Sequence, residues 1–402
     1  MFRYEFLLFL PLLIYLILTF VKSKKGRIQT SRLIPFFSCG YGPLYSLVKF
    51  QISTINATMA TASSISIILI LLWKKFSPFV YLYLFGVIIT LFVSSIINDL
   101  SLYEYAKTLQ VFIILMAGLI TGAWFRSCKF PDAFFSRFVI LMTITAGLVI
   151  LVRYFSVGHV RDAGFSLFLV PVSIYALLGR RKLLIVSGYI GFFYLLTIQS
   201  RTTYISILVS LFYMWPYIRE RYGLKQLLLP LLVVITIIGS ITMQRTFSDN
   251  DSFQESVDNS SLTRMNAVLV ETKDFSESIL FGKGAFYYYS EWKQMIFDVR
   301  ESQLSNNDYV AYNHIGVISS LAQVGIIGTT LLILIPLVLI IRHKSIGNNL
   351  LERTIIVGGI IFLISFLISG SPIRTDFQDA FWYYFVVGYL LNYHSKKELN
   401  KE

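Results

Sequence analysis

The residues best suited to chemistry in this sequence are three: Arg201, Arg264 and His314. Arg201 follows Gln199 and Ser200 where one apolar run ends and immediately before the next begins. By the charge pattern set out below, that junction faces outside, where a cation goes against the usual bias and needs a partner or a ligand. Snorkelling to lipid phosphate is the competing role for it. Arg264 lies in a long acidic segment, where an ordinary surface ion pair is the bland alternative. Arg153, Arg161 and Arg374 read as external too, and Lys107 lies one turn into an apolar run. Such an electropositive patch on an acidic face suits a phosphate or diphosphate group, since guanidinium binds phosphate oxygens bidentately and keeps its charge. His314, one of four histidines, sits where the polar segment meets an apolar run. It can cap the helix or exchange a proton near pH 7. Cations plus a histidine suggest group transfer from a phosphate leaving group. The acids nearest to the spans, Glu104, Asp162, Asp376 and Asp379, show no spacing that selects one as a base. No GxSxG elbow, P-loop or HExxH sequence occurs, and Cys39 and Cys128 have no metal-ligand spacing.

These residues must be positioned by membrane helices. Of 402 residues, 55% are apolar and 14% charged, with a mean hydropathy of +0.67. Runs of roughly 18 apolar residues recur along the chain, each long enough to cross a bilayer as a helix. They fall near residues 58–73, 78–97, 105–125, 136–154, 163–179, 183–199, 202–218, 226–243, 316–341, 354–370 and 377–393. A first run, 4–21, reads as a retained helix because no small-residue cleavage site follows it. The expected fold is an all-α polytopic membrane protein with 12 transmembrane helices, or 13 if residues 33–49 also span. Basic connectors at Lys74 and Lys75, Arg126 and Lys129, Arg180 to Lys182 and Arg219 to Lys225 recur at every second turn and read as cytoplasmic. Residues 244–312 hold eleven acids against six bases, a net of −5 in a chain of +13. That asymmetry argues for membrane orientation and against nucleic acid as a partner. The expected organisation is therefore 1–243, the N-terminal helices; 244–312, a large helical external loop; and 313–402, three helices and a cytoplasmic tail. Within the loop, a glycine turn at Phe281-Gly-Lys-Gly leads into the aromatic cluster Phe286 to Tyr289.

The pattern His-x6-Leu-x3-Gly-x2-Gly, at His314, Leu321, Gly325 and Gly328, resembles the C-terminal signature of the O-antigen polymerase and ligase superfamily. Ser200-Arg201-Thr202 at a span boundary is similar to that family's Ser-Arg motif. Arg264, followed by a helix and by Ile279-Leu-Phe-Gly-Lys-Gly-Ala-Phe286, resembles its loop motif. The family's asparagine after the histidine instead precedes it here as Asn313, and a glutamate common in the helix is Gln323. The resemblance implies metal-independent, cofactor-free glycosyl transfer at the outer face of the bacterial cytoplasmic membrane. The donor it implies is a glycan on undecaprenyl diphosphate, with membrane lipid around it and a chain-length regulator protein as a partner. On that resemblance Arg201 and Arg264 hold the diphosphate and His314 orients or deprotonates the attacking hydroxyl. Arg161, Lys107, Arg374 and Tyr287 complete the substrate-binding set. The Asn-His order and the acidic, aromatic loop favour a polymerase over a ligase. A carrier of lipid-linked sugars is the reading from another class, disfavoured because no inverted repeat is visible.

Overall fold

The computed structural model describes residues 76–98, 102–127, 131–133, 135–144, 167–197, 202–222, 268–269, 271–284, 316–343, 349–368, 372–373 and 377–392. Among these residues every regular element is helical and no strand occurs. Helix α1 is Pro78–Ile97 and α2 is Leu102–Arg126, with α3 over 135–144. Leu169–Leu177 forms α4, Lys182–Thr197 forms α5, and 202–222 forms α6. A short α7 over 271–277 is followed by α8, Gly316–Thr329, which runs through a π-helical turn, Thr330–Leu334, into α9, Ile335–His343. Leu350–Ile368 is α10 and Phe377–Leu391 is α11. The limits of α1, α2, α5, α6, α8 with α9, α10 and α11 fall within a few residues of the apolar runs read from the sequence, while the ends of the runs at 136–154 and 163–179 that flank 145–166 lie outside the described residues. Among the described residues three candidate spans are long and apolar enough to cross a membrane: Pro78–Ile97, Gly316–His343 and Leu350–Leu367. The expected total of 12 or 13 rests largely on residues outside the described ones.

Helix α11 is the axis of the bundle. Its residues from Ala380 onward are buried on every side, as expected of a helix whose apolar character has no polar face. It packs most extensively against α2, at a crossing set by Gly118 and Gly122 on one helix and Gly388 on the other. A Cβ at Gly122 would run into the Phe385 carbonyl, and one at Gly388 into the Leu119 carbonyl. The four-residue spacing of Gly118 and Gly122 is the small-residue pattern that lets membrane helices approach closely where no hydrophobic effect drives them together. Around this crossing, Trp382 stacks on Phe168 with centroids 4.9 Å apart, and Phe138 lies 4.4 Å from the same ring.

Polar side chains fix the two ends of the bundle. At one end the buried Asn392 accepts from Ser77 N at 3.1 Å and donates to Ala123 O at 2.7 Å, joining the start of α1 to the ends of α2 and α11. Arg126 pairs there with Glu352 at 2.6 Å and lies over the Tyr389 ring, while Arg353 donates to Tyr213 O at 2.9 Å. Helix α1, 20 residues and so about 30 Å long, separates this end from the one where Asn98 meets the segment after α7. The described basic residues Arg126 and Arg353 thus lie opposite the corner formed by residues 278–284. Within the α8–α9 helix, Pro336 has no N–H to offer the Leu332 carbonyl one turn back. The Tyr383 hydroxyl donates to that carbonyl instead, and the π-helical turn lies over the same residues.

A candidate site where residues 278–284 meet a broken helix

The geometry at this second end begins with Gly325. Its φ of 66° and ψ of −169° lie outside the helical region, and glycine alone adopts that conformation without strain. In an unbroken helix, Ile326 N and Ile327 N would donate to the carbonyls of Ala322 and Gln323. Here those carbonyls accept from Lys283 N and Gly284 N, both at 2.8 Å. The two freed amides donate to Ile279 O at 2.9 Å and Leu280 O at 3.3 Å. Two helical bonds are thereby replaced by four to another segment. That is how non-helical backbone survives inside a membrane protein, by finding protein partners for each freed group.

The partner segment is shaped to fit. Gly282, with φ 68°, turns the chain so close that a Cβ there would meet Gln323 and Val324 backbone atoms at about 2.5 Å. Ser278 closes the turn: Gly282 N donates to its carbonyl at 2.8 Å, and its hydroxyl donates to Gly282 O at 2.8 Å. Asn98 at the end of α1 donates to both Ser94 O, 2.7 Å, and Gly282 O, 2.9 Å, and Ser94 Oγ donates to Gln323 O at 3.1 Å. Gly328 completes the seat by letting Thr90 of α1 approach, since a Cβ there would lie 2.8 Å from its methyl. Gly282, Gly284, Gly325 and Gly328, from two motifs about forty residues apart, therefore belong to one corner.

Helix α7 lies beside this corner and carries two buried carboxylates. Glu271 is 2% exposed and Asp274 5%. Glu271 accepts from Ser319 Oγ of α8 at 2.6 Å. Burial raises its pKa to about 7, helped by Asp274 and opposed by the Ser319 bond, so near neutrality much of it carries a proton. On the exposed side of the same segment, Lys283 pairs with Glu277 at 2.7 Å, which holds the Glu277 carboxyl below its usual range. The Gln323 side chain is buried, and its Oε1 has no hydrogen-bond partner among the described residues.

Of the residues singled out from the sequence, His314, Arg201, Arg264, Arg161, Arg374 and Tyr287 lie outside the described ones, and so does the side chain of Lys107 on α2. The described helices begin beside two of them: α6 at 202, directly after Arg201, and α8 at Gly316, two residues after His314. Asp379, one of the four unselected acids, accepts from Leu167 N at 3.1 Å and so has a structural role. Glu271, Asp274 and Ser319 were missed. The signal was available, because residues 271, 274, 275 and 278 follow the i, i+3, i+4, i+7 spacing of a buried helical stripe. Two acids on such a stripe should have stood out.

No curated protein matches this chain. A family model described as O-antigen ligase matches residues 183–333, a segment that contains α7, the glycine corner and the break in α8. That match supports placing the chain in the O-antigen polymerase and ligase superfamily, and does not separate the two activities.

Proposed function

We propose that this protein is a polysaccharide polymerase that joins repeat units carried on undecaprenyl diphosphate at the outer face of the cytoplasmic membrane. The observation that carries the reading is the corner itself. The loop motif after Arg264 and the glycines after His314, which only a sequence resemblance had linked, are hydrogen-bonded to each other inside the segment that matches the family. The placement of Arg126 and Arg353 at the opposite end agrees with an external loop.

In this reading Arg201 and Arg264 bind the diphosphate of the donor and stabilise the charge that develops as the bond between the anomeric carbon and the diphosphate oxygen breaks. The leaving diphosphate keeps the electron pair. The acceptor sugar hydroxyl forms the new bond to the anomeric carbon, and His314 takes its proton. Arg161, Lys107 and Arg374 add positive charge for the lipid-linked substrate, and Tyr287 offers a ring face to sugar. The reaction draws on no metal or cofactor, and a chain-length regulator acts as a partner protein.

The test is the electrophoretic profile of surface glycan from a strain lacking the protein, complemented with wild type or with His314→Ala. Core carrying one repeat unit in the deletion, and no ladder with His314→Ala, is the expected result. The description of the matching family favours a second reading, transfer of finished chains to lipid A–core. Bare core with long chains accumulating on the lipid carrier would establish that ligase reading instead. An unchanged ladder in the deletion would exclude both.

A further inference from the structure

We propose that Glu271, through its hydrogen bond to Ser319, is a positioning residue that holds the segment carrying Arg264 against the helix that follows His314. This rests on the reading of those two residues as the groups that bind and activate substrate. Arg264 precedes Glu271 by seven positions, and His314 precedes Ser319 by five. The Glu271–Ser319 bond is therefore a side-chain tie between the two segments that deliver the reacting groups. The backbone clamp at Ile279, Leu280, Lys283 and Gly284 fixes the far side of α7, and Glu271 fixes the near side. Without the tie, α7 could pivot about its clamped end and carry Arg264 out of register with His314. Misplacements of about 1 Å are enough to cost on the order of a hundredfold in rate.

The tie is held by a carboxyl that favours its neutral form. Glu271 is buried, the titratable group acting on it among the described residues is Asp274 of its own helix, and its neighbour on α8 is the neutral Ser319. Ionisation would set two like charges side by side in a buried stripe. Docking of α7 on α8 thus weakens as pH rises through neutrality, because the cost of burying the charge outweighs the bond from Ser319.

The experiment uses the full chain in proteoliposomes with a lipid-diphosphate-linked repeat unit, reading kcat and KM across the neutral range. Glu271→Ala is expected to lower kcat on the order of a hundredfold with little change in KM. Glu271→Gln keeps an acceptor for Ser319 but cannot ionise. It should retain most of the activity and lose the decline that wild type shows on the alkaline side. Ser319→Ala removes the same tie from the α8 side, and should lower kcat to a similar extent. A Glu271→Ala enzyme within twofold of wild type would overturn the proposal. If that variant does not accumulate, a Glu271→Gln profile that keeps the wild-type alkaline decline does so equally. Arg264→Ala and His314→Ala, assayed alongside, separate the two failures. Should they be inactive while Glu271→Ala is fully active, only the role of Glu271 falls. Should both keep full kcat, the catalytic reading falls and takes this proposal with it.

Discussion

Replacing Gly325 by alanine should undock residues 279–284 from helix α8. The added Cβ would be built into the Leu280 carbonyl and the Phe281 amide, which are backbone atoms unable to rotate away. The backbone at φ 66° and ψ −169° is itself strained for alanine, by about 1–3 kcal/mol. Relief comes from restoring an ordinary helix at residue 325, which requires breaking the four bonds to Ile279, Leu280, Lys283 and Gly284. Each contributes about 0.5–1.5 kcal/mol net, so the whole clamp is worth about 2–6 kcal/mol. Two helical bonds regained offset roughly half of that. The net loss of docking, about 1–3 kcal/mol, corresponds to roughly five- to 150-fold in the opening equilibrium.

Hydrogen exchange on the purified full chain measures that equilibrium directly. The amides of Lys283 and Gly284 depend on the clamp and should exchange faster in the variant by that factor, roughly five- to 150-fold. Those of Ile326 and Ile327 should stay protected, because they change partner rather than lose one. Polymer formation should fall with the docking. An alanine variant with unchanged protection at Lys283 and Gly284 would refute the reasoning, since the loop would then be held by something other than the break.

Arg201→Lys should lose activity by a few kcal/mol in transition-state terms, read as kcat/KM, because an ammonium cannot grip phosphate oxygens bidentately; full activity would exclude that contact. Tyr383→Phe should lower thermal stability by about 1–3 kcal/mol, because it strands the Leu332 carbonyl that Pro336 cannot serve, and a melting curve checks it. Docking of α7 should strengthen toward acid. Glu271 titrates at about 7 rather than 4.5, so its stabilising effect is full below about pH 4.5 and fades as pH rises through 7. The range is about 3 kcal/mol at most, and protection of the α7 amides at two pH values reads it, with Glu271→Gln expected to be flat.

Helix positions were legible because hydropathy is a local property. The runs at 78–97, 316–341 and 354–370 needed no knowledge of their neighbours to be recognised as span-length. The break at Gly325 was not legible in the same way. Hydropathy runs straight across it, and the Gly-x2-Gly spacing there is equally compatible with close helix packing. Only a second segment supplying Lys283 and Gly284 as donors gives that glycine its meaning. Glu271 escaped for a related reason: within an acidic loop it counted toward net charge, and its burial against Ser319 depends on a helix some fifty residues away. Arg201, Arg264 and His314 lie outside the described residues, and their proposed roles rest on charge, order along the chain and the family resemblance.

The exchange of hydrogen bonds at the corner also bears on how the site can move. A loop resting on a completed helix could lift without leaving the helix short of partners. Here the α8 carbonyls of Ala322 and Gln323 and the amides of Ile326 and Ile327 are satisfied by the loop, so lifting it breaks four bonds and returns two, and those only once Gly325 has itself become helical. Asn98 and Ser94 add a further tie from α1 to the same atoms. Residues 279–284 are for that reason a fixed part of the candidate site, joined to α1 and α8 at once.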